Sequence, residues 1–85
     1  MRVVVVYRDP SEFARPVEEF LRHFKTVTGR ELETLDPDTR DGIGFCTTYD
    51  IVQYPTVVAL TDDGQLQNLW AGLPLPTVNE VSAYA

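Results

Sequence analysis

Two dense apolar runs and one apolar stripe organise the chain. Residues 3–7 (VVVVY) and 55–60 (PTVVAL) are apolar at nearly every position, which is typical of strands buried on both faces of a sheet. Between these runs, apolar residues recur every three or four positions, and that spacing predicts a helix that packs on the sheet. The stripe consists of Phe13, Val17, Phe20, Leu21, Phe24 and Val27.

The remaining segments give weaker signals. Residues 31–36 read as a strand whose charges suit a sheet edge, 37–44 as a loop with acids, proline and two glycines, and 45–50 as a short helix. Asp63-Gly64 marks a tight turn before a returning strand at 66–71. Thr77 and Glu80 have capping-box spacing, so a short helix is expected through 78–84.

The resulting order is β-α-β-α-β-β-α over one domain, residues 1–85. It predicts an α/β fold with a four-stranded mixed sheet, helices on both faces, and a first crossover between parallel strands. Asp9 is the expected cap of the first helix, with Pro10 at its first position and Glu12 at capping-box spacing. Pro16 predicts a kink in this helix.

Charge is distributed unevenly along the chain. The net charge is -6, and all seven lysines and arginines lie at or before Arg40. An acidic surface disfavours phosphate backbones and anionic lipids, so neither nucleic acid nor membrane is expected as a partner. A lone cysteine and a five-residue apolar run, too short for a signal peptide or a membrane span, favour a cytoplasmic protein.

The segment YDIVQYPTVVALTDDGQLQNLWAG (49–72) resembles the second half of a thioredoxin. Seven positions fall in register with that family: Tyr49, Ile51, Tyr54, Pro55, Thr56, Gly64 and Gly72. The resemblance implies a minimal thioredoxin-like fold, β-α-β-α-β-β-α. It also implies that the Tyr54–Pro55 peptide bond is cis.

The first half of the chain resembles the family at its redox motif, but without the cysteines. Anchored on Pro16, the family's Trp-Cys-Gly-Pro-Cys aligns with Tyr7, Arg8, Asp9, Pro10 and Ser11. Dithiol exchange needs a thiolate at this helix N-terminus, and neither Arg8 nor Ser11 supplies one. We therefore do not expect a CxxC disulfide oxidoreductase, and the candidate residues favour a protein without catalytic activity.

Other candidate chemistry is sparse. Cys46 is expected to pack in the interior, because free cysteine is among the most buried residue types and no cationic neighbour activates it. One histidine, His23, and one cysteine give no basis for a metal site. No cofactor is expected.

The site that this resemblance implies is a groove beside a cis-proline. It comprises Tyr7, Arg8, Asp9, Pro10, Ser11, Tyr54, Pro55 and Thr56. We expect Tyr7 and Tyr54 to frame the groove and the backbone at Tyr54 to pair with a passing peptide. The sequence indicates no structural role for Arg8, and its side chain adds positive charge beside the free amides at the helix N-terminus.

Three functions are compatible with these residues. The first is a redox-inactive thioredoxin-like module that binds a protein or peptide in the groove. The alternative is a glutathione- or thiol-binding enzyme resembling glutathione transferases, in which Ser11 or Tyr7 hydrogen-bonds a thiolate. The third is a module that self-associates as a weak homodimer through the edge strand at 31–36. Three acids on this strand are expected to repel those of a second copy, which favours a monomer.

Overall fold

A computed structural model of the chain describes residues 2–8 and 14–84. Over these residues the chain forms seven elements in the order β-α-β-α-β-β-α, which confirms the expected fold class. They are β1 (Arg2–Val6), α1 (Ala14–Thr28), β2 (Glu33–Leu35), α2 (Arg40–Tyr49), β3 (Thr56–Leu60), β4 (Leu66–Ala71) and α3 (Val78–Ser82). The predicted helix start at Asp9, Pro10 and Glu12 lies outside the described residues.

The four strands form one mixed sheet in the order β2-β1-β3-β4. β1 pairs in parallel with β2 and antiparallel with β3, and β4 returns antiparallel to β3. The two dense apolar runs are therefore the two central strands, as their lack of polar residues predicts. The charged strand β2 lies at an edge.

Alternate side chains of the central strands feed two separate cores. Val3, Val5, Val57 and Ala59 pack beneath α1 and α3, and we call this side of the sheet the α1 face. Val4, Val6, Val58 and Leu60 pack beneath α2 on the other side, the α2 face. Helices therefore cover both faces, as expected from strands that are apolar at every position.

The apolar stripe of α1 is confirmed over its described residues except at its end, and its first member, Phe13, lies outside them. Val17 and Phe24 are fully buried, and Phe20 and Leu21 pack at the border of the core. Val27 was expected in the stripe but is 57% exposed. The half-buried position in the last turn is Thr28, four residues after Phe24, so Val27 turns away from the sheet.

The second helix begins earlier than its sequence indicates. α2 spans Arg40–Tyr49, whereas residues 37–44 were expected to be a loop and 45–50 a helix. The Thr39 hydroxyl accepts a hydrogen bond from the Gly42 amide at 3.0 Å, which caps the helix. A Cβ atom at position 42 would lie 1.8 Å from the Asp36 carbonyl oxygen, so glycine here permits close packing rather than breaking the helix.

The C-terminal half follows its sequence signals closely. The Gly64 amide bonds the Thr61 carbonyl at 3.0 Å, and Gly64 has φ +89°, which closes the turn between β3 and β4. At α3 both halves of the capping box are present, because Thr77 accepts from the Glu80 amide and Glu80 accepts from the Thr77 amide.

Candidate functional site

Five of the eight expected site residues lie in the described part of the chain. They are Tyr7, Arg8, Tyr54, Pro55 and Thr56, whereas Asp9, Pro10 and Ser11 lie outside it. The sheet brings the five together because Val6 of β1 pairs with Thr56 of β3. The residues that follow β1 therefore lie beside those that precede β3, at the same end of the sheet.

Tyr7 does not share a face with Tyr54. Tyr7 packs against the core of the α1 face and donates its amide to the Leu35 carbonyl at 3.1 Å, whereas Tyr54 packs against the core of the α2 face. This placement disagrees with the expectation that the two rings frame one groove. Successive residues of an extended strand point to opposite sides, so Tyr7 belongs with Val3 and Val5. A thiolate-binding role for Tyr7 or Ser11 stays a prediction.

Arg8 has structural partners that the sequence did not reveal. Its Nε donates to Oδ2 of Asp38 at 2.9 Å, and its guanidinium carbon lies 4.8 Å from the centroid of the Tyr54 ring. The hydrogen bond and the charge of Asp38 hold the pKa of Arg8 above its usual value. Arg8 therefore joins the segment before α2 to Tyr54, which corrects the view that it lacks a structural reason.

The carboxylate that holds Arg8 is itself positioned by a turn. Asp36 accepts the backbone amide of Asp38 at 2.8 Å through its side chain, and the Asp36 carbonyl accepts the Thr39 hydroxyl. Aspartate side chains commonly fix such turns two residues ahead. The same turn caps α2 and places Asp38 against Arg8, so one local structure serves the helix and the site.

Tyr54 is half-buried between α2 and Arg8. Its hydroxyl donates a long hydrogen bond of 3.5 Å to the Ile51 carbonyl. Burial is the main cause that raises the pKa of the Tyr54 phenol, and contact with the Cys46 thiol raises it further. The phenol is thus protonated at neutral pH and acts as a hydrogen-bond donor.

The backbone at Tyr54 lies in a bend that leads directly into β3. The Tyr54–Pro55 peptide bond is cis, and the Pro55 carbonyl accepts the Gly72 amide at 2.8 Å. Within residues 2–8 and 14–84, no hydrogen bond joins the amide or the carbonyl of Tyr54. Backbone polar groups are normally paired by protein, water or a ligand, so any partner of these two groups lies outside the described residues.

A pocket of about 370 Å³ opens next to Tyr54 on the α2 face, and we call it the Tyr54 pocket. Cys46 lies in its wall and is 8% exposed, in agreement with the expected packing role. Sequence reasoning missed this pocket because the first half of α2 was read as loop. The residues that line it include Pro37, Ile43, Cys46, Asp50, Val52 and Tyr54.

The acids near the β2 edge are paired rather than mutually repelling. Glu33 binds Arg2 through two hydrogen bonds of 2.8 and 2.9 Å, and Glu31 contacts Lys25 at 2.5 Å. These partners lower the pKa of both glutamates. Glu31 and Glu33 are therefore each paired with a cation of the same chain, and self-association through this edge stays a prediction.

The architecture has relatives among solved structures. A thioredoxin 1 from Thermosipho africanus TCF52B superimposes with a TM-score of 0.67 at 13% identity, covering 99% of this chain and 89% of that one. The chain has a thioredoxin-like fold. A second structure, described as a malarial protein, gives a TM-score of 0.66 at 11% identity, with 96% and 89% covered. At these identities the likeness concerns the thioredoxin-like fold alone.

Sequence comparisons give no closer relative. No protein-family model matches the chain, and no curated protein matches it. In the described ranges, no helix of this thioredoxin-like fold is long and apolar enough to cross a membrane. Those residues also contain no group of three or more His, Cys, Asp or Glu arranged to hold a metal ion.

Proposed function

We propose that this chain is a redox-inactive thioredoxin-like module that binds an extended segment of a partner protein beside Pro55. The observation that carries the proposal is the backbone of Tyr54, whose amide and carbonyl have no hydrogen-bond partner in the described residues. A peptide strand laid beside residue 54 would supply both missing hydrogen bonds. Backbone pairing would give affinity, and pockets beside the backbone would give specificity.

The distribution of thiols supports a binding role over a redox role. Cys46 is the only cysteine of the chain and lies buried in α2, not at the end of β1. Disulfide exchange requires an accessible thiolate and a resolving thiol. Arg8 occupies the position that the family resemblance assigns to the first cysteine, and its guanidinium is bound to Asp38. A guanidinium has no nucleophilic sulfur, so it cannot replace that cysteine.

Tyr54 is the side chain expected to matter most for binding. Its ring is half-buried against Arg8, so it presents a rigid aromatic surface, and binding a partner would not have to fix its conformation. Tyrosines of this kind are frequent among the residues that dominate interface energy, because they add contact area at little entropic cost. Replacing Tyr54 should therefore weaken binding more than replacing a tyrosine elsewhere.

Selection of peptides from a random phage-displayed library tests the proposal. Amide NMR shifts caused by a selected peptide should centre on Tyr54, Thr56 and Gly72. Tyr54→Ala should weaken binding about tenfold, which corresponds to ~1.4 kcal/mol. Tyr84→Ala, which alters a half-buried tyrosine on the α1 face, is the matched control and should leave affinity unchanged. Selected peptides whose footprint lies elsewhere, or no selected peptide at all, would contradict the proposal.

A further inference from the structure

The Tyr54 pocket adjoins the backbone proposed to bind a peptide. Tyr54 lines it on one side, and α2 together with the segment after it forms the rest. A strand that pairs with residue 54 places alternate side chains on the two sides of its own backbone. One of these side chains would face the Tyr54 pocket, so the pocket's chemistry selects which residue the partner carries there.

Aliphatic side chains form part of the walls of the Tyr54 pocket. Ile43 is 57% exposed and Val52 is 79% exposed, and both line the pocket. Large aliphatic side chains this exposed and this close together mark a surface that gains from being covered. An aliphatic stem of a partner side chain would cover both.

The charge in this pocket is negative. Asp50 is the charged residue among its described lining residues, and no ion pair engages its carboxylate within residues 2–8 and 14–84. Residues 41–85 contain five acids, Asp50 among them, and no lysine or arginine. Arg8, whose guanidinium lies over the Tyr54 ring, is bound to Asp38.

We propose that the Tyr54 pocket binds a lysine or arginine side chain of the partner segment, with its aliphatic stem between Ile43 and Val52 and its charge at Asp50. This inference rests on the proposed function. Lysine and arginine fit because they bury a hydrocarbon stem while keeping their charge at the rim. Glutamate or aspartate at the same place would be repelled by Asp50, which disfavours acidic segments.

Three capped heptapeptides with the sequence Thr-Val-Thr-X-Thr-Val-Thr, in which X is lysine, norleucine or glutamate, test this inference by amide NMR titration. The lysine peptide should shift the amides of Thr47, Asp50 and Val52. It should bind about two- to fivefold tighter than the norleucine peptide, the gain expected of one exposed ion pair. The glutamate peptide should bind most weakly. The lysine preference should shrink when ionic strength rises from ~0.01 M to ~1 M, because the Debye length falls from ~30 Å to ~3 Å.

Two variants separate a local charge effect from the overall charge. Asp50 has φ 55° and ends α2, and asparagine tolerates this left-handed conformation, so Asp50→Asn removes only the charge. Asp50→Asn should abolish the preference for lysine over norleucine. Glu18→Gln, at an exposed position of α1, changes the net charge by the same amount as Asp50→Asn. It should leave the preference for lysine intact.

The outcomes distinguish this inference from the function on which it rests. If all three peptides shift the amides of Tyr54 and Thr56 equally, the groove binds peptides but the basic-residue inference is wrong. If none of them shifts these two amides at millimolar concentration, both the proposed function and the inference are contradicted. If the lysine preference survives Asp50→Asn, the pocket assignment is overturned.

Discussion

The two faces of the sheet are covered in different ways. On the α1 face, the large side chains of Val17, Phe24 and Val81 are fully buried against the strands. On the α2 face, the buried residues that α2 contributes are Gly42 and Cys46, both small, and two aromatic rings of α2 pack half-buried against the core. The strands offer each face similar apolar residues, so the difference lies in the helices. Large helix side chains are fully buried on the α1 face, whereas those on the α2 face stay partly exposed.

This difference explains where the candidate site lies. Protein interiors pack to nearly crystalline density when the side chains are large enough to fill them. With Gly42 and Cys46 on its inner side, α2 leaves Ile43 outside, and the Tyr54 pocket forms beside it. The better packed face stabilises the domain, and the other face holds the pocket that we propose binds a partner side chain. Variants that alter one face at a time can test this division.

The largest expected effect is the loss of Phe24. Phe24→Ala removes a fully buried ring from the α1 face and should lower the free energy of unfolding by about 3–5 kcal/mol. Cys46→Ala removes a single sulfur atom from the α2 face and should cost far less. Urea denaturation followed by far-ultraviolet circular dichroism measures both. Equal losses for the two variants would show that the two faces contribute alike.

The next effect concerns the close approach that starts α2. Gly42→Ala places a methyl group where the Asp36 carbonyl lies and should destabilise the domain by about 1–3 kcal/mol, the usual cost of overpacking. Gly44→Ala is the matched control, since no atom lies within 4 Å of its added Cβ. It should stabilise the helix by about 0.5–1 kcal/mol. A stabilised Gly42→Ala variant would contradict the role assigned to this contact.

These two glycines also show what the sequence could not reveal. Glycine is a poor helix former, so Gly42 and Gly44 in the segment PDTRDGIG indicate a loop. The Asp36 turn, the Thr39 cap and the contact at Gly42 together favour the helix instead. Local propensity was overridden by packing between residues that the pattern alone does not bring together. Where apolar runs and caps agreed, as at β3 and α3, the prediction was confirmed.

The candidate site was predictable in its backbone but not in its charges. The resemblance to thioredoxins located Tyr54, Pro55 and Thr56 from sequence. It could not show that Arg8 pairs with Asp38, because that contact joins residues thirty positions apart through a turn that was read as an irregular loop. The Tyr54 pocket was missed for the same reason. Side-chain partners across a sheet depend on register, which a single sequence specifies only loosely.

The helix caps provide a smaller and more local test of the two faces. Thr77→Ala and Thr39→Ala each remove an N-cap hydroxyl and should each cost about 0.5–2 kcal/mol. The native fluorescence of Trp70 should separate them. The rings of Trp70 and Tyr84 meet edge-on, with their centroids 5.6 Å apart, on the α1 face near the end of α3. Thr77→Ala should therefore shift the emission of Trp70, whereas Thr39→Ala should not. An equal shift in both variants would show that the faces are coupled.

The smallest expected effect is the pH dependence of the cap on α3. Hydrogen bonds from the backbone and side chain of Thr77 lower the pKa of Glu80 below its usual 4.5. A depressed folded-state pKa means that the stabilisation is complete above the unfolded-state value and is lost as pH falls through the lower, folded-state value. Urea midpoints measured between about pH 7 and about pH 3 should therefore fall less steeply for Glu80→Gln than for the unaltered chain.

Thr77→Ala provides the matched control for Glu80, because it removes the donor hydroxyl that holds the carboxylate. It should flatten the same part of the pH profile, and combining it with Glu80→Gln should flatten the profile no further, since residues of one hydrogen-bonded unit do not act additively. If the slopes of the unaltered chain and Glu80→Gln coincide below pH 4.5, the cap carboxylate does not contribute to acid sensitivity. The acid sensitivity would then arise elsewhere, with the Arg2–Glu33 and Lys25–Glu31 pairs beside the β2 edge as the next groups to replace.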